Sequence, residues 1–69
     1  MDLVQLLGQN VRAHRKARGM SQEQLALDAG MKRAYLSDLE RGTRNPSIRA
    51  LERLANALGV QPEDLVRRS

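Results

Sequence analysis

Lys32 and Arg33 stand side by side at the start of a segment, residues 33–41, whose apolar residues recur with helical periodicity. The positive end of the helix dipole disfavours each cation there by about 0.3–1 kcal/mol. Folding alone does not account for the choice; a polyanion beside the helix does. An arginine fork can bond guanine O6 and N7 together, and a lysine can reach a base edge or a phosphate. Tyr35, Leu36 and Leu39 share one face of the segment. Arg33, Ala34, Ser37, Asp38 and Arg41 lie on the other face or its edges. Ala34 can touch a thymine methyl. Asp38 can accept from a cytosine amino group, or hold Arg41 or Arg33. Lys32, Arg33, Ala34, Ser37 and Asp38 are therefore candidate base contacts, each with a solvated surface residue as its alternative.

A second set of groups suits phosphate. Ser21 and Gln22 open the preceding helix, whose first N–H groups have no partner inside the helix and attract anions. Arg44, Asn45 and Ser47, before the fourth helix, could grip a backbone from the other side, with Arg41 between the two sets.

Other chemistries find little support. The chain has 69 residues, no cysteine and a single histidine, His14, which argues against a thiolate site or a metal cluster. There is no convergent Ser/His/Asp set, no phosphate-cradling glycine loop and no metal-ligand spacing, so neither an enzyme nor a cofactor is expected. No apolar run approaches the ~20 residues of a membrane span, and Met1-Asp2-Leu3-Val4 lacks the features of a signal peptide. A cytoplasmic protein without a membrane partner is expected. Twelve Lys and Arg against eight Asp and Glu give a net charge of +4. The cations fall in three groups: Arg12 to Arg18, Lys32 to Arg53, and Arg67-Arg68. Such a balance attracts polyanions at long range, although a merely soluble surface also fits it. Tyr35 is the sole aromatic, which disfavours a single-strand binder that stacks bases on rings.

The elements that must position these groups are helices. Leu3, Leu7, Val11 and His14 follow one helical stripe, and Ile48, Leu51, Leu54, Ala55 and Leu58 another. No stretch alternates as a half-buried strand would. Gly19, Gly30, Gly42 and Gly59 fall where helices should stop, and Pro62 suits the first turn of a short last helix. Ser47 reads as a helix N-cap after an extended Asn45-Pro46. Ser21 reads as another, with Gln24 completing a capping box and Met20 with Leu25 a hydrophobic staple. The expectation is five helices at about 2–18, 22–29, 33–41, 48–58 and 62–67, in one all-α domain over residues 1–69. Residues 21–42 hold two short helices around Gly30-Met31-Lys32. Leu25, Ala26, Ala29, Met31, Leu36 and Leu39 lie between them, and the small alanines permit a close, steep crossing. That is a helix-turn-helix. Gly8, inside the first helix, is a candidate for close packing.

The chain resembles the Cro/C1-type (XRE) helix-turn-helix family of phage repressors and bacterial regulators. The resemblance covers nearly its whole length. It runs from Val11-Arg12 and Arg15-Lys16 through Gly19-Met20-Ser21-Gln22, Leu25-Ala26, Ala29-Gly30, Leu39-Glu40-Arg41-Gly42 and Asn45-Pro46-Ser47. It continues to Leu51, Leu54-Ala55, Ala57-Leu58-Gly59-Val60 and Leu65. Tyr35-Leu36-Ser37 and Arg44-Asn45-Pro46-Ser47 are also similar to controller proteins of restriction–modification systems. His14, where the family usually has leucine, and Lys32, where an oxygen-bearing cap is common, depart from the pattern. Histidine there reads as a partly buried side chain with one hydrogen bond, with a pH switch as the alternative.

The resemblance implies a compact lambda-repressor-like domain and a sequence-specific double-stranded DNA-binding transcription regulator. It implies a phosphate contact from Gln22 and a partly buried structural ion pair between Arg15 and Glu40. It also implies a homodimer on a palindromic operator. The C-terminal apolar residues Leu58, Val60, Leu65 and Val66 are the candidate dimer surface, with core as the alternative for all four. Arg12, Lys16 and Arg18 are expected to form a solvated face. No small-molecule effector is expected. The rival reading is a protein-interaction module of the same fold, such as a coactivator or antitoxin-type partner, whose contact face would more often be apolar. The same domain within a longer regulator is a third arrangement.

Overall fold

In the computed structural model, which describes residues 2–68, helix α1 spans Leu3–Ala17. Asp2 starts it by accepting the Gln5 N–H at 2.9 Å. Helix α2, Gln22–Asp28, is started by Ser21 in the same way, with Ser21 Oγ 3.0 Å from the Gln24 nitrogen. The expected capping box is only half formed. The Gln24 side chain runs the other way along the helix, its Nε2 donating to Asp28 Oδ1 at 2.9 Å.

Helix α3 is Arg33–Glu40, and Lys32, the residue before it, gives no side-chain hydrogen bond to its free N–H groups. An ammonium has no lone pair to offer. Between α2 and α3 the chain reverses at Gly30, whose φ of 67° lies in the left-handed region that side chains disfavour. The reversal lets the Met31 N–H reach the Ala26 carbonyl at 2.9 Å, satisfying an end of α2. Helix α4 is Ile48–Leu58, capped by Ser47 Oγ on the Ala50 N–H at 3.0 Å.

The chain closes differently from expectation. Residues Pro62–Val66 form a 3₁₀ helix, so the described residues hold four α-helices and not five. Five residues make barely one α-turn, too little to sustain the i→i+4 ladder. The Asp64 N–H bonds the Gln61 carbonyl at 2.9 Å, and the Gln61 N–H bonds Asp64 Oδ2 at 3.0 Å. No strand occurs among the described residues.

One core joins all five pieces. Val11, Leu25, Leu36, Leu39, Leu54, Leu58 and Leu65 are fully buried, with Ala26, Ala29 and Ala55 between them. Each buried leucine contributes about 1.5–3 kcal/mol relative to an exposed one. Helix α1 lies across α3 and the closing 3₁₀ helix. Gly8 sets the first of those crossings. A Cβ built on it would meet the Leu39 carbonyl oxygen at 2.3 Å, closer than any real contact. The backbones of α1 and α3 therefore nearly touch. At the second crossing the Asn10 amide donates to the Leu65 carbonyl at 3.0 Å and the Arg67 carbonyl at 2.9 Å. His14 stands at the rim of this crossing, half-buried beside Asn10, Asp64 and Arg67, and not in the core.

Candidate nucleic-acid interface

Helix α3 turns Leu36 and Leu39 into the core and leaves Lys32, Arg33 and Ala34 exposed at its start. Ser37 and Asp38 are half-buried one turn on, and Arg41 is exposed just past the helix. Tyr35 packs against the core, with the Arg44 guanidinium 4.9 Å from its ring centroid. Two cations thus stand at an uncapped, solvent-facing helix N-terminus on a helix fixed from behind.

The polar groups further along α3 are already engaged. Both oxygens of Asp38 are taken by arginines: Oδ1 by Arg41, and Oδ2 by Arg44 at 3.5 Å. Arg41 also donates to Ser37 Oγ at 3.0 Å. Of the sequence alternatives for Asp38, the one present here is the hold on Arg41, joined by Arg44 and not by Arg33.

Glu40 closes the helix from inside. Its carboxylate accepts from Arg15 Nε at 2.8 Å and Nη2 at 3.1 Å, while Arg15 Nη1 donates to the Met20 carbonyl at 2.8 Å. The pair is well shielded, with side-chain exposures of 11% and 3%. Gln22 joins it through Nε2, 3.1 Å from Glu40 Oε1. The amide offered by the sequence as a phosphate contact is therefore held at the α2 N-terminus by the ion pair. Around it opens a polar cleft of about 370 Å³ lined by Arg12, Arg15, Lys16, Gln22, Glu40 and Arg41.

On the other side of α3, Arg44 and Asn45 are exposed in the lead-in to α4, and the Ser47 hydroxyl is the α4 cap. A cleft of about 300 Å³ lies there, between Lys32, Tyr35, Ser47 and Arg53. Arg18 is exposed, as expected of the solvated face, but also has a structural tie: its Nη1 donates to the Leu58 carbonyl at 2.8 Å, capping α4 from just past α1.

Two residues of the expected dimer surface, Leu58 and Leu65, take their alternative as core. Leu58 and Leu65 are 0% exposed, because α4 and the closing 3₁₀ helix turn them toward α1. Val60 and Val66 are half-buried against the same core. Ile48 departs in the opposite sense. Periodicity places it on the inward stripe of α4, yet it is 81% exposed, since the first helical residue lies beyond the packed turns. With Leu3, Val4, Pro46, Leu51 and Val66 it borders an apolar groove of about 170 Å³.

A short α2 and α3 crossed around a glycine turn, with cations at the exposed start of α3, define a helix-turn-helix protein. The helix-turn-helix family model HTH_3 matches residues 11–65, and the chain belongs to that family. The chain is 52% identical over 62 residues to the control protein C.BamHI of Bacillus amyloliquefaciens, a match spanning 88% of this chain and 76% of the relative. Among solved structures it is similar to the restriction–modification controller protein C.AhdI from Aeromonas hydrophila. There the identity is 42% and the TM-score 0.88, over 90% of this chain and 94% of that one. The biofilm regulator SinR, solved in complex with DNA, superposes with a TM-score of 0.85 at 39% identity, over 88% of this chain and 98% of that one.

Proposed function

We propose that this protein is a sequence-specific, double-stranded DNA-binding transcription regulator that lays α3 in the major groove. The observation carrying this reading is the pair Lys32 and Arg33, exposed at an N-terminus that no side chain caps. An arrangement that costs stability in the free protein is compensated by a polyanion placed against it. In this reading Arg33 bonds a guanine, Lys32 reaches a base or phosphate, and Ala34 and Ser37 lie against neighbouring base edges. Ser21 and Gln22 at the α2 N-terminus receive one phosphate strand; Arg41, Arg44, Asn45 and Ser47 receive the other. Arg15 and Glu40 fix the angle between α1, α2 and α3. The chain acts as one lambda-repressor-like domain working on DNA in the cytoplasm. The relatives' descriptions as controller proteins and as a regulator solved with DNA support this reading. The rival protein-interaction module lacks a comparable footing, since the exposed start of α3 is cationic and not apolar.

The operator in this reading is palindromic and the protein binds it as a homodimer, with half-site centres about 34 Å apart. The groove beside Ile48 is the surface for the second copy. It offers both a protruding isoleucine and a hollow beside it, as a two-fold contact requires. Arg49 and Glu52, exposed on the flank of α4, would meet their opposites across an antiparallel pair. Ile48→Glu should leave the monomer folded and shift it from dimer to monomer in sedimentation; an unchanged dimer would remove this face from the model.

Selection of bound sequences from a random duplex pool tests the function itself. Enrichment of one two-fold-symmetric sequence is expected. A pool that returns without any preference would contradict the reading.

A further inference from the structure

Asp38 is the one acidic residue among the candidate base contacts, on a surface otherwise set with Lys32, Arg33, Arg41 and Arg44. Its carboxylate divides between Arg41 and Arg44, one oxygen to each. Its backbone carbonyl accepts both the N–H of Thr43, at 3.0 Å, and the Thr43 hydroxyl, at 3.1 Å. The loop that carries Arg44 is therefore tied to the same residue that binds the arginine's head. Arg41 is held a second time by Ser37, and Arg44 lies over Tyr35. Asp38 itself is 31% exposed by side chain, so this carboxylate sits at the edge of the surface, not in bulk water.

We infer that Asp38 is a positioning residue that sets how tightly any duplex is held: it holds Arg41 and Arg44 partly neutralised in the free protein, so that phosphates must displace it to engage them. The inference rests on the DNA-binding reading of α3. Its logic is a competition. A duplex of any sequence offers phosphates, and arginines without a partner would take them wherever they met them. With Asp38 present, each such contact first draws an arginine from this carboxylate, Arg41 from a hydrogen bond and Arg44 from a looser ion pair at 3.5 Å. Operator and non-operator duplexes make the same exchange. Asp38 thus weakens binding to all duplexes by a similar factor and leaves the base contacts of Arg33 to set the preference between them.

The test compares wild type, Asp38→Asn and Asp38→Ala on the selected operator and on a scrambled duplex, across a salt series. Asparagine keeps the shape and one acceptor but removes the charge. Alanine also removes the positioning. For Asp38→Asn the expected result is tighter binding to the scrambled duplex, by about five- to tenfold at low salt, with a log–log salt slope steeper by about one to two contacts. Operator affinity rises by a similar factor, so the ratio of operator to scrambled affinity holds. Asp38→Ala shows the same gain on both duplexes. Three results would overturn the inference. Loss of discrimination at a single base pair, with scrambled affinity unchanged, would make Asp38 a base reader. A lower melting temperature with both affinities and the slope unchanged would make it a structural brace. Wild type without any preferred duplex would overturn the DNA-binding reading itself, which the selection experiment detects separately.

Discussion

Glu40 accepts three hydrogen bonds, two from the Arg15 fork and one from Gln22, at 3% exposure. A carboxylate this shielded is tolerable only while its partners remain, and the same holds for the guanidinium facing it. Glu40→Ala leaves Arg15 shielded and unpaired, and should cost about 3–5 kcal/mol of unfolding free energy. Denaturant titration checks it; a loss below ~1 kcal/mol would mean that water replaces the carboxylate. At this scale the sequence is legible where chemistry is local. The Ser21 and Ser47 caps were readable because each bonds a nitrogen three residues on. The Arg15–Glu40 pair was reachable only by resemblance, since its members are 25 residues apart. Gln22 on Glu40, Arg18 on Leu58 and Asn10 on Leu65 were not readable. Each joins residues distant in the chain with no periodic signal to announce it.

At the scale of elements, the placing of α3 depends on how closely α1 approaches it. Gly8 makes that approach possible, with no room for a Cβ against the Leu39 carbonyl. Two effects oppose each other in Gly8→Ala. Alanine favours the helix by about 1 kcal/mol, while forcing backbones apart costs about 1–3 kcal/mol or more. At a 2.3 Å clash against backbone the second effect wins, and the variant should be less stable by thermal melting. A melting temperature at or above wild type would show that α1 and α3 separate freely. The four α-helices were legible to within one or two residues because a glycine follows each end, and an oxygen-bearing cap precedes α1, α2 and α4, though not α3. The last element was misjudged in kind. Its apolar Leu65 and its Pro62 start are the same for an α-turn and a 3₁₀ turn, and only length decides between them. Ile48 shows the limit of periodicity: a stripe gives the inward face of a helix but not which end of it the neighbours cover.

For the whole molecule, charge and shape act together. A net charge of +4 on a chain of 69 residues draws it to a polyanion, and in the proposed reading the exposed cations of α3 and the α4 lead-in decide which face arrives first. Binding should weaken steeply with salt, each neutralised phosphate adding about −0.9 to the slope of log K against log salt. Titration from low to physiological ionic strength measures it, and a flat profile would assign the basic surface another purpose. The total charge was legible in the sequence. How it is spent was less so, because Arg15 and Arg18 serve the fold while Arg41 and Arg44 share Asp38.

The central claim is that α3 reads base sequence, and its most direct test is the affinity of Arg33→Ala across a panel of single-base operator variants. Arg33 is exposed and outside the core, so the fold should persist. The predicted result is a loss of about 1–3 kcal/mol confined to discrimination at one base-pair position, which becomes indifferent to the base there. Gln22→Ala, at the proposed phosphate contact, should lower affinity by a similar factor on every variant. An Arg33→Ala protein weakened equally on the entire panel would contradict the claim and make Arg33 a backbone contact.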